Sequence, residues 1–177
     1  MLTFSRTKIS SKGVKALVEN SKKFMENLVH FELYLGSIDI TDQDIIPIFC
    51  YMPKVQIFEV SLGNTKITNE TIKLLAHTFS QMRDLLQVQL FVYNTAITTE
   101  CILPLIQNVK DVEKLCLDIS GIEIENQFIN QVDLLIRSQF KSLKAFDLEI
   151  DTDRGLSQPS IDLLTKLQED FSPANNT

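Results

Sequence analysis

Val55-Gln56-Ile57-Phe58-Glu59-Val60-Ser61-Leu62 is followed by Gly63-Asn64-Thr65-Lys66-Ile67-Thr68-Asn69 and then by Glu70-Thr71-Ile72-Lys73-Leu74-Leu75-Ala76. Apolar residues alternate at Phe58, Val60 and Leu62, the pattern of a half-buried strand. From Ile72 the spacing changes to that of a helix, with Ile72, Leu75, Ala76 and Phe79 on one face. Thr68 or Asn69 stands where a helix needs a cap for its first free N–H groups. The segment is a strand, a turn and a helix.

Working outward, the same spacing returns along the chain. Leu28, Phe31, Leu33 and Leu35 match Val55, Phe58, Val60 and Leu62. So do Leu85, Val88, Leu90 and Val92, then Val112, Leu115, Leu117 and Ile119, then Leu143, Phe146, Leu148 and Ile150. Leu2 and Phe4 form a partial copy at the start. Beyond each strand an apolar residue recurs at Ile9, Ile40, Ile67, Ile97 and Ile124, and another at Val14, Ile45, Ile72, Ile102 and Ile129. Leu17, Ile48, Leu75, Leu105 and Val132 follow in the same order. Candidate caps recur too: Ser10 or Ser11, Thr41 or Asp42, Thr98 or Thr99. An internal repeat of this length means a solenoid, because one unit cannot bury its apolar face alone and a stack can. The expected units are 1–27, 28–54, 55–84, 85–111, 112–142 and 143–170, forming a single domain over 1–170. In the last, Ser157-Gln158-Pro159-Ser160 reads as a longer connection with a fresh helix start, the helix running from about Ser160 to Asp170, and residues 171–177 read as a flexible tail.

These residues resemble leucine-rich repeats of the ribonuclease-inhibitor type over nearly the whole chain. The closest likeness is to the variant with an extra apolar pair in the strand, found in large repeat families of ciliated protists. The resemblance implies an α/β solenoid of about six repeats, a short arc with a parallel sheet on its concave side and helices on its convex side. The sequence also departs from the family. The asparagine ladder of that family falls here on Ile38, Thr65, Thr95, Ile122 and Asp153, while Asn64 and Asn94 stand one residue early.

Composition sets the outer bounds. The chain has 177 residues, 44% hydrophobic and 23% charged, as an ordinary folded domain has. Seventeen Lys and Arg against 23 Asp and Glu leave a net charge of −6. That is a poor balance for nucleic-acid binding, which depends on cations meeting phosphates. The longest apolar run, Ile45 to Pro53, is well short of the roughly 18 residues of a membrane span. No signal-like segment opens the chain. The odd set Cys50, Cys101 and Cys116 lacks zinc or disulfide spacing and fits a reducing cytoplasm. The sequons at Asn69 and Asn175 read as chance matches.

Strand alternation sends one set of side chains to the concave face. Its first row is Glu32, Glu59, Gln89, Cys116 and Asp147. The next is Tyr34, Ser61, Phe91, Asp118 and Glu149, and the third is Gly36, Gly63, Tyr93, Ser120 and Asp151. Six carboxylates and three aromatics stand in these rows, without Lys or Arg. Aromatic anchors beside charge of one sign fit a docking surface for a protein with a basic surface. The expected partner-binding residues are Glu32, Tyr34, Glu59, Phe91, Tyr93, Asp118, Asp147 and Glu149. Lys22, Lys23, Lys110, Lys141 and Lys144 fall near unit boundaries.

Nothing in the sequence points to catalysis, a cofactor or a metal. His30 and His77 lie in different units without triad spacing, and Cys116 is expected exposed on the sheet without a base beside it. Asp151 and Asp153 open like a calcium loop, but Gly155 arrives too early and the closing Glu is missing. The five glycines make neither a phosphate loop nor a dinucleotide fingerprint. The expectation is a non-catalytic protein-interaction module, a structural or adaptor subunit of an assembly. Its stack ends would be covered by neighbours or by further repeats. Lineage resemblance adds the cilium or cytoskeleton as a setting. Two alternatives are a regulator of an enzyme, as an inhibitor or GTPase-activating protein of leucine-rich-repeat type, and a substrate receptor of a ubiquitin ligase. The first calls for a specific loop and the second for an F-box-like helical segment, and neither is seen in the sequence.

Overall fold

The computed structural model describes residues 2–3, 12–14, 16, 26–50, 52–153 and 155–172. The expected apolar positions Phe4, Ile9 and Leu17, the caps Ser10 and Ser11, the residues Lys22 and Lys23, and tail residues 173–177 lie outside them.

Six strands form one sheet in chain order: β1 (Leu2–Thr3), β2 (His30–Tyr34), β3 (Ile57–Ser61), β4 (Gln87–Phe91), β5 (Lys114–Asp118) and β6 (Ala145–Glu149). Every neighbouring pair is parallel. Five helices alternate with them: α1 (Asp42–Phe49), α2 (Asn69–Gln81), α3 (Thr99–Gln107), α4 (Asn126–Gln139) and α5 (Gln158–Asp170). Residues 12–14 and 16 are also helical. This is the expected leucine-rich-repeat arrangement, a parallel sheet on one side and helices on the other.

The strand residues expected to be buried form the core between sheet and helices. Leu33, Leu35, Val60, Leu62, Leu90, Val92, Leu117, Ile119 and Leu148 are buried there. Ile150 is the exception and is only partly buried. It stands in the last unit of the described residues. The helix positions Ile45, Ile72, Ile102 and Ile129 close the core from the other side. Within it, Phe58 packs its ring 4.9 Å from Phe79 of its own unit and 5.6 Å from Phe31, which joins it to the unit before.

The turns solve the problem that the missing asparagine ladder raised. Ser37, Asn64, Asn94 and Gly121 hold matching places and all have positive φ, from 52° to 83°. Asn and Gly tolerate the left-handed region best, which explains why Asn64 and Asn94 precede the ladder position. At the ladder position itself, the Thr65 hydroxyl donates to the Leu62 carbonyl at 2.6 Å, and the Thr95 hydroxyl to that of Val92 at 2.6 Å.

Side-chain links between units come instead from the first residues of α1, α2 and α4. Asp42 accepts hydrogen bonds from the N–H and hydroxyl of Thr68, at 2.9 and 2.8 Å, and from the Thr71 hydroxyl at 2.6 Å. Asn69 accepts from the Thr98 N–H at 2.8 Å and donates to its hydroxyl at 2.9 Å. Asn126 accepts from the Ser157 N–H at 2.8 Å. Each of these side chains serves the N-cap residue of the next helix, so one unit supplies the cap of its neighbour. The Asn69 amide, where a glycan would attach, is held in this ladder.

The final unit covers its own edge. The Phe146 N–H donates to the Phe171 carbonyl at 3.1 Å, and Gln168 reaches Asp147 Oδ1 at 2.8 Å. An edge strand leaves a row of unpaired backbone groups. Here the end of α5 lies along it. Phe171, which the sequence assigned to the tail, is packed against the core.

Candidate functional site

The concave rows expected from alternation are the rows of the sheet. Glu32, Glu59, Gln89, Cys116 and Asp147 stand in register across β2 to β6, and Tyr34, Ser61, Phe91, Asp118 and Glu149 stand in the next row. The expected partner-binding residues therefore share one face. Tyr34, Phe91 and Tyr93 are half-buried rather than fully exposed.

Two features of this face were missed. Extending the alternation back by two residues gives a further row, His30, Ile57, Gln87, Lys114 and Ala145, in the same register. It brings Lys114 onto a face expected to lack cations. Cys116, expected exposed, is buried at 9% exposure, between Gln89 and Asp147. Its thiol donates to Asp147 Oδ2 at 3.7 Å.

Side chains on the face are joined across strands. The Tyr34 hydroxyl donates to Glu59 Oε1. The Gln89 amide donates to Glu59 Oε2 at 3.1 Å, and Lys114 Nζ donates to Gln89 Oε1 at 3.3 Å. One line of polar contacts thus runs from β2 to β5. His30 Nε2 lies 2.8 Å from Glu32 Oε1. Beyond β4, Asp118 accepts from the Ser120 N–H at 3.0 Å, and Asp151 from the Gly121 N–H at 3.0 Å. Burial pushes the Glu149 carboxyl above its ordinary value, and the negative charges of Asp118 and Asp147 add to this.

The groups considered for catalysis are not brought together. His30 is on β2, Cys116 is three strands away on β5, and His77 is on α2 across the core. Burial, with Asp147 beside it, pushes the Cys116 thiol up to about 12. It is protonated at neutral pH, and the thiol is a far weaker nucleophile than the thiolate. Among the described residues no group of three or more His, Cys, Asp or Glu is placed to hold a metal ion, and no helix is long and apolar enough to cross a membrane.

The helical side offers less chemistry. A cleft of about 670 Å3 lies beside α2, lined by Met52, Pro53, Leu74, His77 and Met82 among others. α1 stops at Phe49 after eight residues, while α2 runs for thirteen. α1 and α3 are the short helices, and each has a Pro in its second turn, Pro47 and Pro104. That ring removes a backbone donor and disfavours continuation. On α4, Leu134 is 69% exposed.

No family model matches the sequence, and a search among curated proteins found no match. Solved structures do resemble it. The tropomodulin C-terminal domain of Caenorhabditis elegans is 14% identical, with 92% of this chain and 95% of that one covered, at a TM-score of 0.66. The leiomodin-1 actin-binding site 2 is 13% identical, with 91% of this chain and 90% of that one covered, at a TM-score of 0.67. At such identity the likeness is one of fold: strands and helices alternating in a leucine-rich-repeat-like α/β stack.

Proposed function

We propose that the chain is a non-catalytic protein-interaction module, a structural or adaptor subunit of a cytoskeletal assembly in the cytoplasm. One observation supports this reading most: the fold matches a domain named as an actin-binding site over nine-tenths of both chains. Actin is accordingly the first partner to test. Within the fold, the concave face is the proposed contact. Glu32, Tyr34, Glu59, Phe91, Tyr93, Asp118, Asp147 and Glu149 lie on it across all five of the longer strands. Carboxylates on adjacent strands are about 4.8 Å apart, inside a Debye length of about 8 Å at physiological salt, so their fields add. Such a wall speeds the approach of a basic surface more than it tightens the final complex.

The test is association and dissociation kinetics with monomeric and with filamentous actin at low and physiological salt. Glu59→Lys with Asp147→Lys should slow association and flatten its salt dependence. Phe91→Ala should speed dissociation. Lack of binding to either form removes actin as the partner. Binding that ignores all three substitutions places the contact elsewhere than on the concave face.

A further inference from the structure

The two halves of the concave face use their carboxylates differently. On β2 to β4 they are engaged within the face. Glu32 holds His30, and Glu59 takes the Tyr34 hydroxyl and the Gln89 amide, with Lys114 closing the line. On β5 and β6 the partners are neutral. Asp118 takes the Ser120 N–H, and Asp147 takes the Gln168 amide and the Cys116 thiol. Among the described residues no lysine or arginine forms an ion pair with Asp118, Asp147 or Glu149. Like charges this close raise each other's free energy, and a cation from outside relieves it.

An aromatic strip borders these carboxylates. Phe91 on β4 is in register with Asp118 on β5, which is in register with Glu149 on β6. One ring and two carboxylates thus form a single row, and Tyr93 follows Phe91 in the row beyond. Beside Phe91 on β3 stands the small Ser61, and the Tyr93 ring lies over Gly63, just beyond β3.

Resting on the concave-face reading above, we propose that the β4–β6 half of the sheet is the contact surface, and that its occupant is an arginine-bearing segment of the partner protein. A guanidinium stacks on Phe91 and pairs with the exposed Glu149, while Asp118, buried at 9% exposure between them, and Asp147 add their field. Charge complementarity selects a cation, and the adjoining ring selects arginine over lysine. A guanidinium is planar and weakly hydrated, lies against an aromatic face and gives a carboxylate two parallel N–H bonds. An ammonium is a compact, strongly hydrated point charge. Strand spacing of about 4.8 Å puts ring and carboxylate within reach of one such group. Glu32, Tyr34 and Glu59 then serve as the framework of the face and do not bear the partner's charge.

The experiment is an NMR titration of the intact chain with an octa-arginine peptide and, separately, an octa-lysine peptide. Amide shifts on β4 to β6 are expected, with arginine binding several-fold tighter than lysine. Asp147→Asn with Glu149→Gln should weaken octa-arginine binding about tenfold, against less than about twofold for Glu32→Gln with Glu59→Gln. Phe91→Ala should remove the preference for arginine. Equal weakening by both pairs, or equal affinity for the two peptides in the unaltered chain, overturns the proposal and leaves the broader concave-face reading standing. Shifts confined to the helices overturn both. The map on the unaltered chain gives its answer whether or not a variant folds.

Discussion

The ring of Tyr93 covers Gly63 on the neighbouring strand unit: a Cβ added to Gly63 would come within 2.4 Å of ring atoms Cε1 and Cζ and 2.6 Å of Cε2. Three ring atoms at nearly one distance mean that the face of the ring is presented. The Tyr93 hydroxyl extends further, to 3.8 Å from where a Cβ of Gly36 would stand. One aromatic on β4's unit thus reaches over the two units before it, and position 63 carries glycine because the ring needs the space, whereas at Gly36 the nearest atom is the Gly63 carbonyl oxygen at 3.3 Å.

Gly63→Ala should therefore cost about 1–3 kcal/mol by overpacking. In a Tyr93→Ala background the same change should cost much less, since the obstacle is gone. Urea denaturation of the two single variants and the double variant gives the coupling. Additive losses would mean that the ring moves aside without cost.

Asp42 ties α1 to α2, and its loss should weaken the stack. Burial pushes its carboxyl up, but hydrogen bonds from Thr71 and Thr68 outweigh this and leave it below 3.8, the ordinary value. A depressed carboxylate adds stability that is present above the ordinary value and lost as pH falls through the folded one. Asp42→Ala should cost about 0.5–2 kcal/mol at neutral pH, the range of a lost cap. Denaturation from pH 5 down to pH 2 should show the gap between the two proteins closing below 3.8. A gap that stays constant would show that the ladder does not depend on the charge.

Glu149 should behave in the opposite sense. Its folded carboxyl is raised, so the charged form is disfavoured in the fold and the protein gains relative stability as pH falls through that value. Glu149→Gln should raise Tm slightly at pH 7, and the gain should vanish in acid once the native carboxyl is protonated. A lower Tm for the variant at pH 7 would contradict this.

Leu90 is fully buried in a central strand, whereas Ile150 is only partly buried in the last unit. Leu90→Ala should cost about 2–5 kcal/mol through lost transfer energy and a cavity. Ile150→Ala should cost clearly less, because its side chain is only partly buried and leaves a smaller loss of packed apolar surface. Equal losses in chemical denaturation would mean that stacking does not set the stability of a position.

The sequence alone determined the periodic part of this protein. Alternation in Phe58, Val60 and Leu62, and the helical spacing after Ile72, fixed which residues form the core, because side-chain direction in a strand or helix follows from backbone geometry. Repetition of that pattern fixed the parallel stack. The same alternation placed Glu32, Phe91 and Asp147 on one face, and would have placed Lys114 there if carried back to the start of each strand. Tertiary structure decided what depends on distance between units. That Asp42 caps the helix after its own, that Asn64 serves a left-handed turn, that Tyr93 lies over Gly63, and that Gln168 and Phe171 line the edge of β6 could not be read from spacing. Nor could the division between engaged Glu59 and the uncompensated charges of Asp118, Asp147 and Glu149. Apart from the local turn at Asn64, each of these depends on residues some twenty to thirty positions apart meeting within a few ångströms, and a one-dimensional pattern records which face a residue occupies but not which neighbour it reaches there.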